Sequence, residues 1–207
     1  MSATCLVSTS QCSRDTRNQA YGWHFQYLTI IGLALATITF IVGLAADLTL
    51  STRLYTLKNI LSVASSPLAC LITLLYWGLR SIDIRLVLPD WAPRLALHTD
   101  MSFHAIPAIS LIVDLLLFSP PYGISALPAL ALSSFIAIAY WFWTEECYRH
   151  NGFYAYPIFD EAGYYGRMGL FAGSAATMTL STFCLQWLYS AVNGREMDIR
   201  TKPRKFN

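Results

Sequence analysis

Residues 27 to 48 read YLTIIGLALATITFIVGLAADL, and Asp47 is the one charged side chain among them. A helix of about 20 apolar residues is enough to span the hydrocarbon core of a bilayer, so this stretch, Tyr27 to Leu48, is long enough to cross unaided. Four more stretches qualify: Lys58 to Leu79, Thr99 to Phe118, Ile124 to Trp143 and Met168 to Val192. The second contains Pro67, which membrane helices tolerate. The sequence therefore predicts an all-α fold, an integral membrane bundle of about five transmembrane helices. Composition agrees, since 55% of the 207 residues are hydrophobic and 13% are charged, against about 25% charged in an ordinary soluble domain.

Flanking residues support these boundaries. Trp and Tyr concentrate at membrane interfaces, and Trp23, Tyr27, Tyr76, Trp77, Trp91, Trp141, Trp143, Trp187 and Tyr189 all fall near span ends. The order is a polar N-terminal tail (1–20), a transmembrane domain (21–194) and a basic C-terminal tail (195–207). The first apolar run is too long for the core of a signal peptide, about 7–15 residues, and is expected to remain as an anchor. The turn Ser119-Pro120-Pro121-Tyr122-Gly123 separates the third and fourth spans. Arg195, Arg200, Lys202, Arg204 and Lys205 favour a cytoplasmic C-terminus. Gly169 and Gly173, four apart in the last span, offer a close-packing face through which a homo-oligomer would form.

Some classes are excluded. A net charge of +2 is too small to make nucleic acid the partner, and the partners expected are membrane lipids. The cysteines match no zinc spacing. Cys70 and Cys184 sit in apolar runs as small hydrophobes, Cys5 and Cys12 read as idle thiols in the tail with pairing or acylation as the alternative, and no cofactor is implied.

Span parity gathers the polar groups. Odd-numbered spans run in one direction, so the starts of spans one, three and five share a leaflet. One face then collects His24, Thr29, Arg80, Asp83, Asp90, Arg94, His98, Asp100, His104, Glu145, Glu146, Arg149, His150, Asp160 and Glu161. Thr29 and His104 stand out, at depths of roughly 3 Å and 7 Å below one interface at about 1.5 Å per residue. A hydroxyl becomes a nucleophile when a base takes its proton, and neutral imidazole is the usual base. A histidine inside a span is costly and marks a functional candidate. Thr29 also has the ordinary option of bonding to a carbonyl one turn back. Asp100, four residues before His104 on the same helix face, is placed either to orient the imidazole or to cap the third span. Asp114, ten residues beyond His104, is too far along the helix to touch it. It is expected to face the bundle interior in a buried hydrogen bond or a proton relay.

Several stretches together resemble a known family: Tyr27-Leu28-Thr29 just after Trp23, His104 near the start of a later span, and Asn151-Gly152-Phe153-Tyr154-Ala155-Tyr156-Pro157 before the last span. They are similar to the androgen-induced and androgen-dependent (TFPI-regulating) membrane proteins. The resemblance covers about residues 21–194. It implies a multipass threonine hydrolase cleaving fatty acid esters of hydroxy fatty acids, with the nucleophile falling on Thr29 and the catalytic histidine on His104. Asp100, Asp114, His150 and Tyr156 are carried as orienting or supporting residues. The chain departs from the family in having polar residues 1–20 where members usually carry an additional N-terminal span, in placing Gly32 where some members carry an acid, and in having Pro107 only three residues after the histidine. An endomembrane, the ER first, or the cell membrane is the expected location.

Two other functions stay open. His98, His104 and His150 share a face, and three histidines suffice for a catalytic zinc. A scaffold or transporter without catalysis would instead turn on Asp47 and Asp114.

Overall fold

Small residues decide how the first two helices meet. The computed structural model describes residues 20–88, 94–119 and 124–201, with side chains as far as 194. The expectations placed on Cys5, Cys12, Asp90, Trp91, the turn at 120–123 and the basic side chains from Arg195 onward lie outside the described residues. Helix α1 (Leu28–Thr49) buries Gly32, Ala36, Thr39, Gly43 and Ala46, a 4-3-4-3 spacing that makes one continuous seam. Helix α2 (Thr52–Ile82) packs along it after the short link Leu50-Ser51. Any side chain at Gly32 would press on Ile72, and a Cβ at Gly43 would lie 3.3 Å from the stem of Lys58. Thr39 donates to the Leu35 carbonyl at 2.8 Å, and its hydroxyl oxygen lies 3.2 Å from Ser65 Oγ. Helices in lipid gain no hydrophobic drive toward one another, so close backbone approach and hydroxyl contacts of this kind hold them together.

The third span differs from the straight helix expected over Thr99 to Phe118. It is two helices, α3 (Leu97–His104) and α4 (Ile106–Phe118), bent by 45°. The cause is Pro107, the second residue of α4. Its nitrogen has no hydrogen to give the carbonyl of Phe103, and its ring crowds that carbonyl. The chain breaks at Ala105, and His104 is left at the elbow.

Helices α5 (Ala126–Asn151), α6 (Pro157–Glu161) and α7 (Gly163–Thr201) complete the order. The outer two begin or end well beyond the apolar runs Ile124 to Trp143 and Met168 to Val192, since polar turns continue the helix past the interface. Gly152, at φ 72°, ends α5 in the left-handed region that glycine adopts without strain. Helices α1, α2, α5 and α7 are each long and apolar enough to cross a membrane, and the bent pair raises the number to five if it crosses as one broken span. Ile41, Leu44, Phe135 and Trp187 lie exposed on the outside of the bundle, as lipid permits and water does not.

The 3₁₀ turn Trp23–Gln26 is bonded to the far end of α5. Tyr140 donates its hydroxyl to the Gln26 carbonyl at 2.9 Å, Trp143 Nε1 donates to Phe25 at 2.9 Å, and the Tyr21 backbone N–H donates to Asn151 at 2.8 Å. The start of span one and the end of span four thus share a side, as parity requires.

Candidate active site

Thr29 is the second residue of α1, where a helix has backbone N–H groups with no intrahelical acceptor. The N–H groups of Ile30 and Ile31 turn back to the Tyr27 carbonyl at 3.1 and 3.2 Å. Those of Leu28 and Thr29 face the hydroxyl of Tyr156 instead, and the Thr29 side chain is a hydrogen-bonding neighbour of that same hydroxyl. Burial holds the Tyr156 phenol above its ordinary pKa, so it stays protonated.

The loop that carries Tyr156 is tied down on both sides. Tyr154 donates to Glu145 at 3.0 Å, and Arg167 meets Glu145 at 3.2 Å. Arg167 also donates to the Phe159 carbonyl at 3.2 Å and lies 4.8 Å from the Tyr154 ring centroid. Burial and the Glu145 bond push the Tyr154 hydroxyl up to about 12. The Tyr27 ring meets Tyr156 edge-on at 5.8 Å.

His104 is held by its Nδ1, which lies 3.1 Å from both the Asp100 carbonyl and a carboxylate oxygen of Asp100. Both are acceptors, so Nδ1 carries the proton and Nε2 keeps its lone pair. The imidazole stacks flat on Tyr76, with centroids 3.5 Å apart and planes 5° apart. Asp100, 1% exposed, also accepts from the Tyr76 hydroxyl at 2.6 Å and forms an ion pair with Arg80. Arg80 in turn donates to the Tyr76 hydroxyl at 3.1 Å and covers the Trp77 ring.

Thr29 and His104 line one small cavity with Gly32, Ile72 and Pro107. Its volume of about 10 Å³ is close to one water-sized sphere. Thr29 and Tyr156 also line a second, larger cavity of about 100 Å³ that runs down between α2, α5 and α7. Thr29 therefore stands at the junction of a small space that His104 also lines and a long apolar one.

The remaining expected residues are placed elsewhere or differently. Asp100 is not the cap of the third span: Ala96 occupies the cap position, and the Asp100 carboxylate is turned inward to Tyr76, Arg80 and His104. Asp114 is paired with Lys58 at 2.8 Å and accepts from Ser119 at 3.2 Å, toward the opposite end of the bundle. His150 bonds Glu146 at 3.2 Å and stacks on Tyr21 with centroids 4.2 Å apart, so it is not drawn to the Thr29–His104 junction. His98 is exposed on α3. Among the described residues no group of three or more His, Cys, Asp or Glu is placed to hold a metal ion. Asp47 accepts from Tyr55 at 2.9 Å. Gly169 and Gly173 are exposed, and a Cβ at either would meet nothing within 4 Å.

Sequence reasoning missed Tyr76 as a site residue and counted Arg80 only among the charges of the polar face. They sit four apart at the end of α2, and that spacing was the signal that both reach one point.

Fold and site together define an all-α, multipass integral membrane protein with a polar centre beside one interface. The chain belongs to the FAR-17a/AIG1-like protein family, whose sequence profile matches residues 1–190. It is similar to a UPF0641 membrane protein of Schizosaccharomyces pombe, 42% identical over 141 residues, or 68% of this chain and 63% of that protein. The matched segment thus spans less than two thirds of the length of that relative. No solved structure matches the chain.

Proposed function

We propose that the protein is a membrane-embedded lipid-ester hydrolase, with Thr29 as nucleophile and His104 as its base, acting on fatty acid esters of hydroxy fatty acids. The observation that supports this most is the state of His104. Its Nδ1 is anchored on Asp100 while Nε2 is left as acceptor, in a space that Thr29 also lines. A base held by a carboxylate beside a hydroxyl is the arrangement that activates a weak nucleophile.

In the first step Thr29 Oγ bonds to the ester carbonyl carbon and its proton passes to His104 Nε2. The tetrahedral oxyanion faces the N–H groups of Leu28 and Thr29 and the Tyr156 hydroxyl. Fixed donors of this kind stabilise charge that develops only in the transition state. The carbon–oxygen bond to the leaving alcohol then breaks, and His104 returns the proton to that oxygen. Water attacks the acyl-threonine, again giving its proton to His104, and Thr29 is regenerated as the fatty acid leaves. Asp100 keeps the imidazole in the tautomer that accepts at Nε2. Arg80 and Tyr76 act as positioning residues, because they hold Asp100 and touch no reacting atom.

The site lies beside an interface, so ester can arrive from lipid and water from the aqueous side. That position suits an enzyme of the ER or another endomembrane, or of the cell membrane. The open face at Gly169 and Gly173 is where two copies would pack.

Labelling with a fluorophosphonate probe in membranes, at matched expression, tests the proposal. Wild type should label, and Thr29→Ala and His104→Ala should not. Undiminished labelling of Thr29→Ala would assign the nucleophile elsewhere, and an unlabelled wild type would remove support for a hydrolase.

A further inference from the structure

The larger cavity has a direction. Its polar wall is confined to one end, where Thr29, Tyr76, Tyr140 and Tyr156 gather. The other hydroxyls lining it are turned away: Ser133 donates to the Ala129 carbonyl at 2.9 Å and Ser174 to the Leu170 carbonyl at 2.8 Å. The far end is closed by Leu68, Ser133 and Met178, each 2% exposed. From Tyr140 to Ser133 is seven residues along α5, and from Leu170 to Met178 eight along α7. At about 1.5 Å per residue the floor lies roughly 10–12 Å below the polar end.

We infer that this cavity is a length-limited pocket for a single unbranched acyl chain, whose carbonyl sits at Thr29 and whose methyl end meets Leu68, Ser133 and Met178. The inference rests on the hydrolase proposal and narrows its substrate to medium-chain acyl groups. The depth sets the number. An extended chain advances about 3.3–3.6 Å over three bonds, or about 1.2 Å per bond, so a depth of roughly 10–12 Å takes about eight or nine carbons. A ligand with one polar end and one short hydrocarbon arm fits such a space. One with a charge partway down does not, because the lining below the tyrosines is apolar apart from Ser133 and Ser174, whose hydroxyls donate to carbonyls of their own helices.

The test uses the full-length protein in detergent and straight-chain 4-methylumbelliferyl esters of four to sixteen carbons. For wild type, kcat/KM should peak near eight carbons and fall at least tenfold by fourteen. Ser133→Leu adds bulk at the floor and should move the optimum down by about two carbons. Met178→Ala removes bulk there and should move it up by about two. Taking each variant as a ratio to wild type at every length cancels partition of the esters into micelles. The two changes act in opposite directions, so if one variant fails to fold the other still decides. Thr29→Ala separates the two levels of the argument. Wild-type activity no higher than that of Thr29→Ala at every length would overturn the hydrolase proposal and the pocket with it. Thr29-dependent activity with a flat length profile, or with an optimum that neither floor variant moves, would overturn the pocket alone.

Discussion

Replacing Lys58 with methionine would leave the Asp114 carboxylate buried without its cation. Lys58 is 4% and Asp114 15% exposed, with Nζ and Oδ1 2.8 Å apart. At that distance and an effective dielectric of about 20, the attraction is about 6 kcal/mol. Against it stands the desolvation of two ions, several kcal/mol each. The pair is therefore near balance as a whole, but breaking it from one side forfeits the attraction and keeps one desolvation cost. Lys58→Met is expected to destabilise by about 3–5 kcal/mol, which lowers the apparent melting temperature by on the order of 10 °C for a chain of this size. Asp114→Leu alone should act in the same direction, since it strands the lysine. The double variant, Lys58→Met with Asp114→Leu, puts two apolar side chains into the same space and should melt at or above the wild-type temperature. The assay is thermal unfolding in detergent followed by tryptophan fluorescence or by loss of the monodisperse peak on size exclusion. A Lys58→Met protein that melts with wild type, or a double variant whose loss is the sum of the two singles, would refute the reasoning, because either result means that the two charges are not coupled.

Three further predictions concern the site. Asp100→Asn retains the shape but loses the carboxylate that fixes the His104 tautomer, and should lower turnover at least 100-fold, measured as hydrolysis in membranes with expression matched. Tyr156→Phe removes one donor to the oxyanion, and kcat is expected to fall about 100-fold with KM little changed; an unaltered kcat would take Tyr156 out of the chemistry. Gly32→Ala places a methyl group against Ile72 in the wall of the small cavity, and should slow fluorophosphonate labelling of Thr29 about tenfold or more while the protein still elutes as a folded species, since reactions are sensitive to displacements of about 1 Å.

The class of fold was legible because hydrocarbon length imposes a simple rule, and five apolar runs obey it without reference to one another. The side shared by Thr29, Asp100 and His104 was legible too, since it follows from counting crossings. The break at Ala105 had a signal in Pro107 that went unused, because proline is common enough in membrane helices that its presence alone does not say whether the helix bends or ends. Lys58 with Asp114 was less accessible. They are 56 residues apart, on helices whose rotation about their own axes no linear pattern records.

By itself, then, the sequence determined that the chain is an all-α bundle with four to five helices able to cross a membrane, and it offered Thr29 and His104 as candidates. These are properties of single segments or of their order, governed by transfer of side chains into lipid and by helix periodicity. Only the tertiary structure decided that Asp100 turns inward to His104 rather than capping its helix, that Tyr76 and Arg80 hold it there, and that His150 is bonded elsewhere. It likewise decided that Thr29 lies where the small space it shares with His104 meets a long apolar one. Each of these depends on the angle at which one helix meets another. Between α1 and α2 that angle is set by the fit of Gly32 to Ile72 and of Gly43 to Lys58, where an added methyl group would have no room without a shift of its neighbour.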